Sequence, residues 1–340
     1  MLFSIVDVQV SERVTCYTIN PVPFNDLCNG SGSIINNKAP YYAYLTYNTK
    51  DGFIGKGTFK TTHSASISWI GDAPKLRFAR NINGSHLIAM KRPYDDKNGK
   101  AIKRFNYADE SQKVLTEANL LGWADSLLLF SYQFIDHFIS LHGSPSFDIP
   151  RFRFVNAAIA YSEKAIDSSV KSPALSHRAV YLLEEFIPQH DDFIKYIHNG
   201  DAVPLQERWE RGYETGQFLC FIQHVQFVQT HGQAYISDFQ GTYSFSASQE
   251  VCPNLTCVGA GNLLTDPQIM TCPYAIHTPK YSILLISLHR DLSEQEELKD
   301  NLFGEGNVNS AFENFTKQHE CNKYCEFFEL SRLSSDDDTD

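Results

Sequence analysis

"HECNKYC", residues 319–325, sets one histidine and two cysteines within seven positions. Carried on one helix, Cys321 and Cys325 share a face at i and i+4, with His319 on the preceding half-turn. The pattern reads in two ways: three ligands of a zinc site, or two buried cysteines beside a surface histidine. A structural zinc takes four tetrahedral ligands, so the first reading needs a fourth from elsewhere in the chain. The chain has eight cysteines in 340 residues and no dense pairing pattern. In reducing surroundings, clustered Cys and His more often mean metal than disulfide.

Working outward, the 340 residues suit one large domain or two intimate ones, and 42% hydrophobic content is ample for a core. A net charge of −11 excludes nucleic acid as the principal partner, because phosphate backbones need a basic surface. The stretch MLFSIVDVQVSERV carries Asp7 and Glu12, unlike a signal or transit peptide. The longest apolar patch, residues 126–139, is interrupted by Ser131, Gln133 and Asp136 and is too short to span a bilayer. The expectation is a soluble cytoplasmic protein with no membrane partner; the oligomeric state is left open, with a monomer favoured.

Residues 1 to about 95 read as strands and turns, with runs at 5–10, 41–47 and 86–90 separated by NGSGS, NINGS and DDKNGK. From Tyr107 the period becomes helical, with Val114, Leu120, Leu121, Ala124, Leu127 and Leu128 on one face and Asp109 and Glu110 near the start. RAVYLLEEFI (178–187) reads as a short strand, FLCFIQHVQFV as a helix and GQAYISDFQG as a strand ending in a turn. LLTDPQI and SILLISL follow, then a helix from about 310 to 330 and a charged SSDDDTD tail.

Several short motifs carry chemistry. In SDFQG (237–241) strand alternation sets Asp238 and Gln240 on one side. An aspartate there suits orienting a hydroxyl, and a glutamine carbonyl suits a hard cation; both residues equally suit a plain turn. Asp266 of LLTDPQI initiates a turn before Pro267, and it also stands where nucleotide enzymes hold magnesium. GKGTFK supplies Gly55, Gly57 and Lys60, the makings of a phosphate loop. Lys91 in LIAMKRP reads as a snorkelling lysine or as a phosphate-binding lysine, whose carboxylate partner would be Glu110 or Glu117 of the next helix. FGEGNVN, with Gly304, Gly306 and Asn307, is a second glycine loop just before the last helix, able to bind an anion there or to be a plain loop.

Taken in order, the glycine loop, the strand lysine, the helix, YLLEEFI, F-x-KY, D-x-QG, LTDPQI, GEGN and H-x-C-x3-C resemble the alpha-kinases, atypical serine/threonine kinases, over residues 50 to 330. The resemblance implies an α+β, bilobal protein-kinase-like fold with a structural zinc in the larger lobe. It supplies the fourth ligand, His224 of FIQHVQF, fourteen residues before Asp238, to join His319, Cys321 and Cys325. It further implies that Gly55, Gly57, Lys60 and Lys91 bind ATP with Glu184 and Glu185 at the hinge. Asp238 would be the catalytic aspartate, and Gln240 and Asp266 the magnesium ligands. The domain plan it implies is an N-terminal extension (1–50), a kinase N-lobe (51–185), a C-lobe with the zinc (186–330) and an acidic tail (331–340).

The chain departs from the family pattern at three places. About twenty residues, 242–262 with Cys252 and Cys257, separate QG from LLTDP; His198 stands where the family usually has asparagine; Asn309 stands where many members have glycine. The leading expectation is transfer of the ATP γ-phosphate to Ser or Thr of a protein substrate, with magnesium and zinc. The alternatives are a catalytically inactive, zinc-stabilised interaction module and a non-kinase ATP-using transferase.

Overall fold

The segment QVSERVTCYT alternates exposed and buried positions almost without a break, the pattern of a strand with one wet face. The computed structural model describes residues 8–36, 39–81, 83–95, 102–163, 178–187, 193–243, 262–272, 303 and 306–333. Its first elements are β1 (Gln9–Thr18), α1 (Phe24–Cys28), β2 (Tyr41–Asn48), β3 (Phe53–Lys56), β4 (Lys60–Ile70), β5 (Ala79–Arg80), β6 (His86–Pro93) and α2 (Tyr107–His142). Then come β7 (Arg153–Phe154), β8 (Ala157–Ser162), β9 (Val180–Glu185), β10 (Phe193–Lys195), α3 (Tyr213–Gln229), β11 (Ala234–Ser237) and β12 (Gln240–Thr242). The last are β13 (Leu263–Thr265), β14 (Gln268–Thr271), α4 (Asn309–Gln318) and α5 (Lys323–Phe327).

The chain forms two compact units. One holds residues 1–20, 34–119 and 155–188; the other holds 21–33, 120–154 and 189–340. In the first unit the strands run in the order β3-β4-β2-β1-β8-β9-β6-β5, and β4 also pairs with β6. That extra pairing closes β4, β2, β1, β8, β9 and β6 into an antiparallel barrel, which removes the sheet edges that would otherwise invite association. Strand alternation sends Val14, Cys16, Ala43, Leu45, Ala65, Ile67, Ile88, Met90, Ala160, Tyr181 and Leu183 into one shared core. β1 pairs on both sides, with β2 and with β8.

α2 begins at an asparagine cap, where Asn106 Oδ1 accepts from the Asp109 amide at 2.9 Å. It runs 36 residues, straight through Gly122.

The second unit contains a four-stranded sheet, β10-β12-β13-β7, and a two-stranded one, β11-β14. Helix α3 is buried from Thr215 to Gln226 with the one exception of Gln217. Against Tyr235 pack Phe312 and Phe315 of α4, with ring centroids 5.8 and 4.2 Å away. The single helix expected over 310–330 is in fact two, α4 and α5, broken at residues 319–322. The cause is Asn322, whose Oδ1 accepts from the Tyr324 amide at 3.0 Å and so starts a new helix. Among the described residues no helix is long and apolar enough to cross a membrane. SILLISL, the 244–261 insert with its two cysteines, and the SSDDDTD tail lie outside the described residues.

Candidate active site and metal centre

In the first unit the glycine turn and the strand lysine each have defined neighbours. The β3–β4 register shifts between Phe53 and Gly55, and a side chain at Gly55 would meet open space. The turn closes where the Gly57 amide donates to the Lys60 carbonyl at 2.9 Å. Tyr94 Oη donates to the Gly57 carbonyl at 2.5 Å and braces it from below. Lys60 forms an ion pair with Glu117 of α2.

Lys91 is 4% exposed and its Nζ lies 2.5 Å from Glu184 Oε2, on a carboxylate that is 3% exposed. The pairing of β6 with β9 sets Lys91 opposite Leu182 and Ala89 opposite Glu184, so lysine and glutamate are diagonal neighbours. The expectation that Glu110 or Glu117 would partner Lys91 is therefore corrected. Glu117 pairs with Lys60, and Glu110 pairs with Arg92 at 2.6 Å. The strand register, set by a hydrophobic pattern far from α2, decides the partner. Glu185 is fixed at the strand end, its amide donating to the Asn156 carbonyl at 2.9 Å and its Oε2 accepting from the Asn156 amide at 3.3 Å.

In the second unit the acidic motifs come together on one sheet. Lys195, Gln240 and Thr265 are successive partners across β10, β12 and β13, and Asp266 follows Thr265 directly. Asp238 lies two residues before Gln240 and its Oδ1 is 2.6 Å from Lys195 Nζ. Asp238 and Gln240 do not share a side of one continuous strand, as alternation suggested. Strand β11 ends at Ser237, and Asp238 takes φ 58°, a left-handed conformation.

Its neighbours enforce this. Ser237 Oγ donates to the His198 carbonyl at 3.1 Å, and Phe239, 1% exposed, accepts from the Tyr196 amide at 2.8 Å. With both flanks pinned, the chain between them turns left-handed and the largely buried Asp238 side chain is directed at Lys195. Asp266 is held likewise at φ 50° between β13 and β14. Asp238 and Asp266 are two of four non-glycine residues at positive φ among the described residues, in a region that aspartate tolerates better than most side chains, and both stand on turns next to the same row of strands.

The GEGN loop docks beside them. Gly304 lies outside the described residues. At Gly306 a Cβ would stand 1.7 Å from Gln268 Oε1, so any larger residue there requires the Gln268 side chain to swing aside. Asn307 Oδ1 accepts from the Thr271 amide at 3.1 Å, and its Nδ2 donates to Thr271 Oγ1 at 2.7 Å. The loop is thereby tied to the strand that leaves Asp266. Lys195 is a site residue whose role sequence reasoning missed; its signal was the lysine of F-x-KY.

His224, His319, Cys321 and Cys325 offer four donor atoms that all lie within 4.8 Å of one another. Cys321 Sγ is 3.9 Å from His224 Nδ1, and Cys325 Sγ is 3.7 Å from His319 Nε2. Tetrahedral zinc with bonds of about 2.05 Å to nitrogen and 2.3 Å to sulfur sets such atoms about 3.6 Å apart. The donors fit a closed zinc site.

The route differs from the one expected. Cys321 precedes the α5 cap and Cys325 lies within α5, so they do not share a face of one helix. His319, at the end of α4, has left the helix at ψ 123°. Burial draws His224 down to about 4 and His319 down to about 3, which leaves both imidazoles neutral with a lone pair to give. Burial, with Cys321 nearby, pushes the Cys325 thiol up to about 12. A divalent cation inverts that preference and holds thiolate. α5 is pressed on α3 by Tyr324 and Phe328, which stack on Phe221 at 5.8 and 5.0 Å.

Comparison with known proteins bears on the family and the fold. No curated protein matches the chain. Among solved structures it is similar to the C-terminally truncated alpha-kinase domain of myosin heavy chain kinase, at 13% identity and TM-score 0.54, over 96% of this chain and 100% of that one. It is also similar to the alpha-kinase domain of myosin heavy chain kinase A in complex with AMP, at 15% identity and TM-score 0.53, over 95% and 100%. A third is an alpha kinase from Entamoeba histolytica, at 16% identity and TM-score 0.51, over 96% and 92%. These likenesses establish the fold. The alpha-kinase family model matches residues 83–280, more than half of the chain, and the chain belongs to the alpha-kinase family.

Proposed function

We propose that the protein is an active serine/threonine protein kinase that transfers the γ-phosphate of ATP to a protein substrate. The observation that carries the reading is the pair of left-handed aspartates, Asp238 and Asp266, flanking the Lys195–Gln240–Thr265 row. Phosphoryl transfer needs little covalent chemistry from the protein, chiefly positioning and charge neutralisation. Lys91 would meet the nucleotide phosphates, with the backbone of Gly55 and Gly57 and the side chain of Lys60 over them and the Glu184–Glu185 backbone at the base. Asp238 would accept a hydrogen bond from the substrate hydroxyl, and Lys195 would hold that carboxylate in place. Gln240 and Asp266 are oxygen donors suited to magnesium, which when bound neutralises charge on the transferring phosphate. Gly306 and Asn307 lie beside β14, the strand that follows Asp266, and Gly304 is assigned to the same glycine loop from the sequence alone.

Three supports lie outside the chain's own geometry. It belongs to a kinase family, one structural neighbour carries AMP, and every residue the chemistry requires is present. The test is γ-phosphate incorporation from labelled ATP into a generic basic protein, with magnesium and with excess chelator. Magnesium-dependent phosphoserine or phosphothreonine supports the kinase. Folded protein that binds nucleotide but incorporates nothing supports instead the inactive interaction module, and ATP turnover without protein phosphate supports a different transferase.

We further propose that His224, His319, Cys321 and Cys325 hold one structural zinc. Four filled positions leave no open site for substrate, so the ion serves the fold. Purified protein is expected to contain about one zinc per chain by elemental analysis. Cys325→Ser should lower that content to a small fraction and also lower the melting temperature. Zinc-free protein that melts like the original would overturn the assignment.

A further inference from the structure

Lys91 and Arg92 are consecutive on β6, so their side chains leave opposite faces of the strand. Lys91 goes to Glu184; Arg92 goes the other way, to the side of Ile88 and Met90, at one end of the barrel core. There Arg92 meets Glu110 of α2 in a fork, Nε to Oε1 at 2.6 Å and Nη2 to Oε2 at 3.2 Å. Glu110 is fully buried, and its Oε2 also accepts from the Val180 amide at 3.0 Å. Val180 opens β9, the strand that carries Glu184. One carboxylate therefore grips both strands that bear the Lys91–Glu184 pair.

Arg104 grips the same end from the backbone side. Its Nη1 donates to the carbonyls of Arg92 and Pro93, each at 3.1 Å, and its Nη2 donates to Thr61 Oγ1 of β4 at 2.9 Å. Three neighbouring strands, β4, β6 and β9, are thus pinned where their register decides which way Lys91 points.

We infer that Glu110, Arg92 and Arg104 form a positioning clamp that aims Lys91 at the nucleotide phosphates from the far face of its own strand. The inference rests on the kinase reading above. α2 makes the contact one residue beyond the lysine, so its grip on Lys91 passes through the strand. Loss of the clamp lets β6 shift against β9 and carries the ammonium with it.

The experiment compares MgATP dissociation constants, melting temperatures and transfer rates for the full chain and two variants. Arg92→Met with Glu110→Leu replaces the buried pair by apolar side chains of similar size, an exchange that usually preserves stability. Arg104→Met leaves the Arg92–Glu110 pair intact and removes the grip on the Arg92 and Pro93 carbonyls and on Thr61 Oγ1, so it serves if the double variant does not fold. A purely structural role predicts nucleotide binding that follows stability. The clamp predicts a dissociation constant raised at least about tenfold in variants that melt near the original temperature. A well-folded variant that binds MgATP as the original does overturns the clamp. An original protein that binds no MgATP overturns the kinase reading and the clamp with it.

Discussion

Asp266→Asn is expected to lower phosphate transfer about 10³-fold while leaving the fold intact, whereas Asp266→Ala should lower both activity and stability. The activity estimate follows from the charge. A metal clamp contributes several kcal/mol of transition-state stabilisation, and each ~1.4 kcal/mol is about tenfold in rate. The stability difference follows from the backbone. Asp266 sits at φ 50°, where asparagine is tolerated because its short polar side chain bonds locally, while alanine costs roughly 1–2 kcal/mol. Asparagine keeps shape and one oxygen but loses the negative charge. Comparing the two separates the carboxylate's chemistry from the turn it occupies. Transfer by Asp266→Asn within about threefold of the original would mean that Asp266 only shapes the turn.

What the sequence alone made legible divides along physical lines. Strands with one wet face announce themselves, as β1 does by alternation. The start of α2 is legible in Asp109 and Glu110 of its first turn, while its Asn106 cap went unread. Closure of the barrel was not legible, because pairing between β4 and β6 is a tertiary choice that periodicity does not record. The same holds for the partner of Lys91. Glu184 lies 93 residues away in the chain and meets it through register alone. Asp238 was misread for another reason. A D-x-Q-G run is compatible with a strand running on, and only the anchoring of Ser237 and Phe239 turns the chain left-handed between them.

The proposed metal centre shows the limit most clearly. His224 stands on a helix buried nearly all round, where a histidine looks like one more core residue. Nothing in its local spacing points to Cys321, and the resemblance to a family was needed to name it. The break before Asn322 had a signal that went unread, since an asparagine followed by a helical stretch is a cap. That break matters chemically. It lets His319 and Cys321 fold back toward His224, which a continuous helix would have carried away from it.

Lys91→Met and Glu184→Leu are each expected to destabilise the protein by about 3–5 kcal/mol, and the two together to recover most of that loss without recovering nucleotide binding. Both partners are almost fully out of water, with side chains 5% and 4% exposed. Removing either one strands a charge, and the stranded group bears its desolvation cost alone. Removing both replaces an expensive pair with apolar side chains in an apolar setting, which is often neutral. For units of this size the single changes should lower the melting temperature by roughly 10 °C. Screening by salt should matter little, because counterions reach buried pairs poorly. Thermal melts of the four proteins give the coupling between the sites directly, and MgATP titrations on the same samples give the second readout. Single variants as stable as the original would show that water reaches the pair. A stable double variant that still binds MgATP tightly would remove Lys91 from the phosphate site. Stability restored with binding lost assigns the pair both tasks: each residue shields the other's charge in the empty protein, and the lysine turns to phosphate when nucleotide arrives.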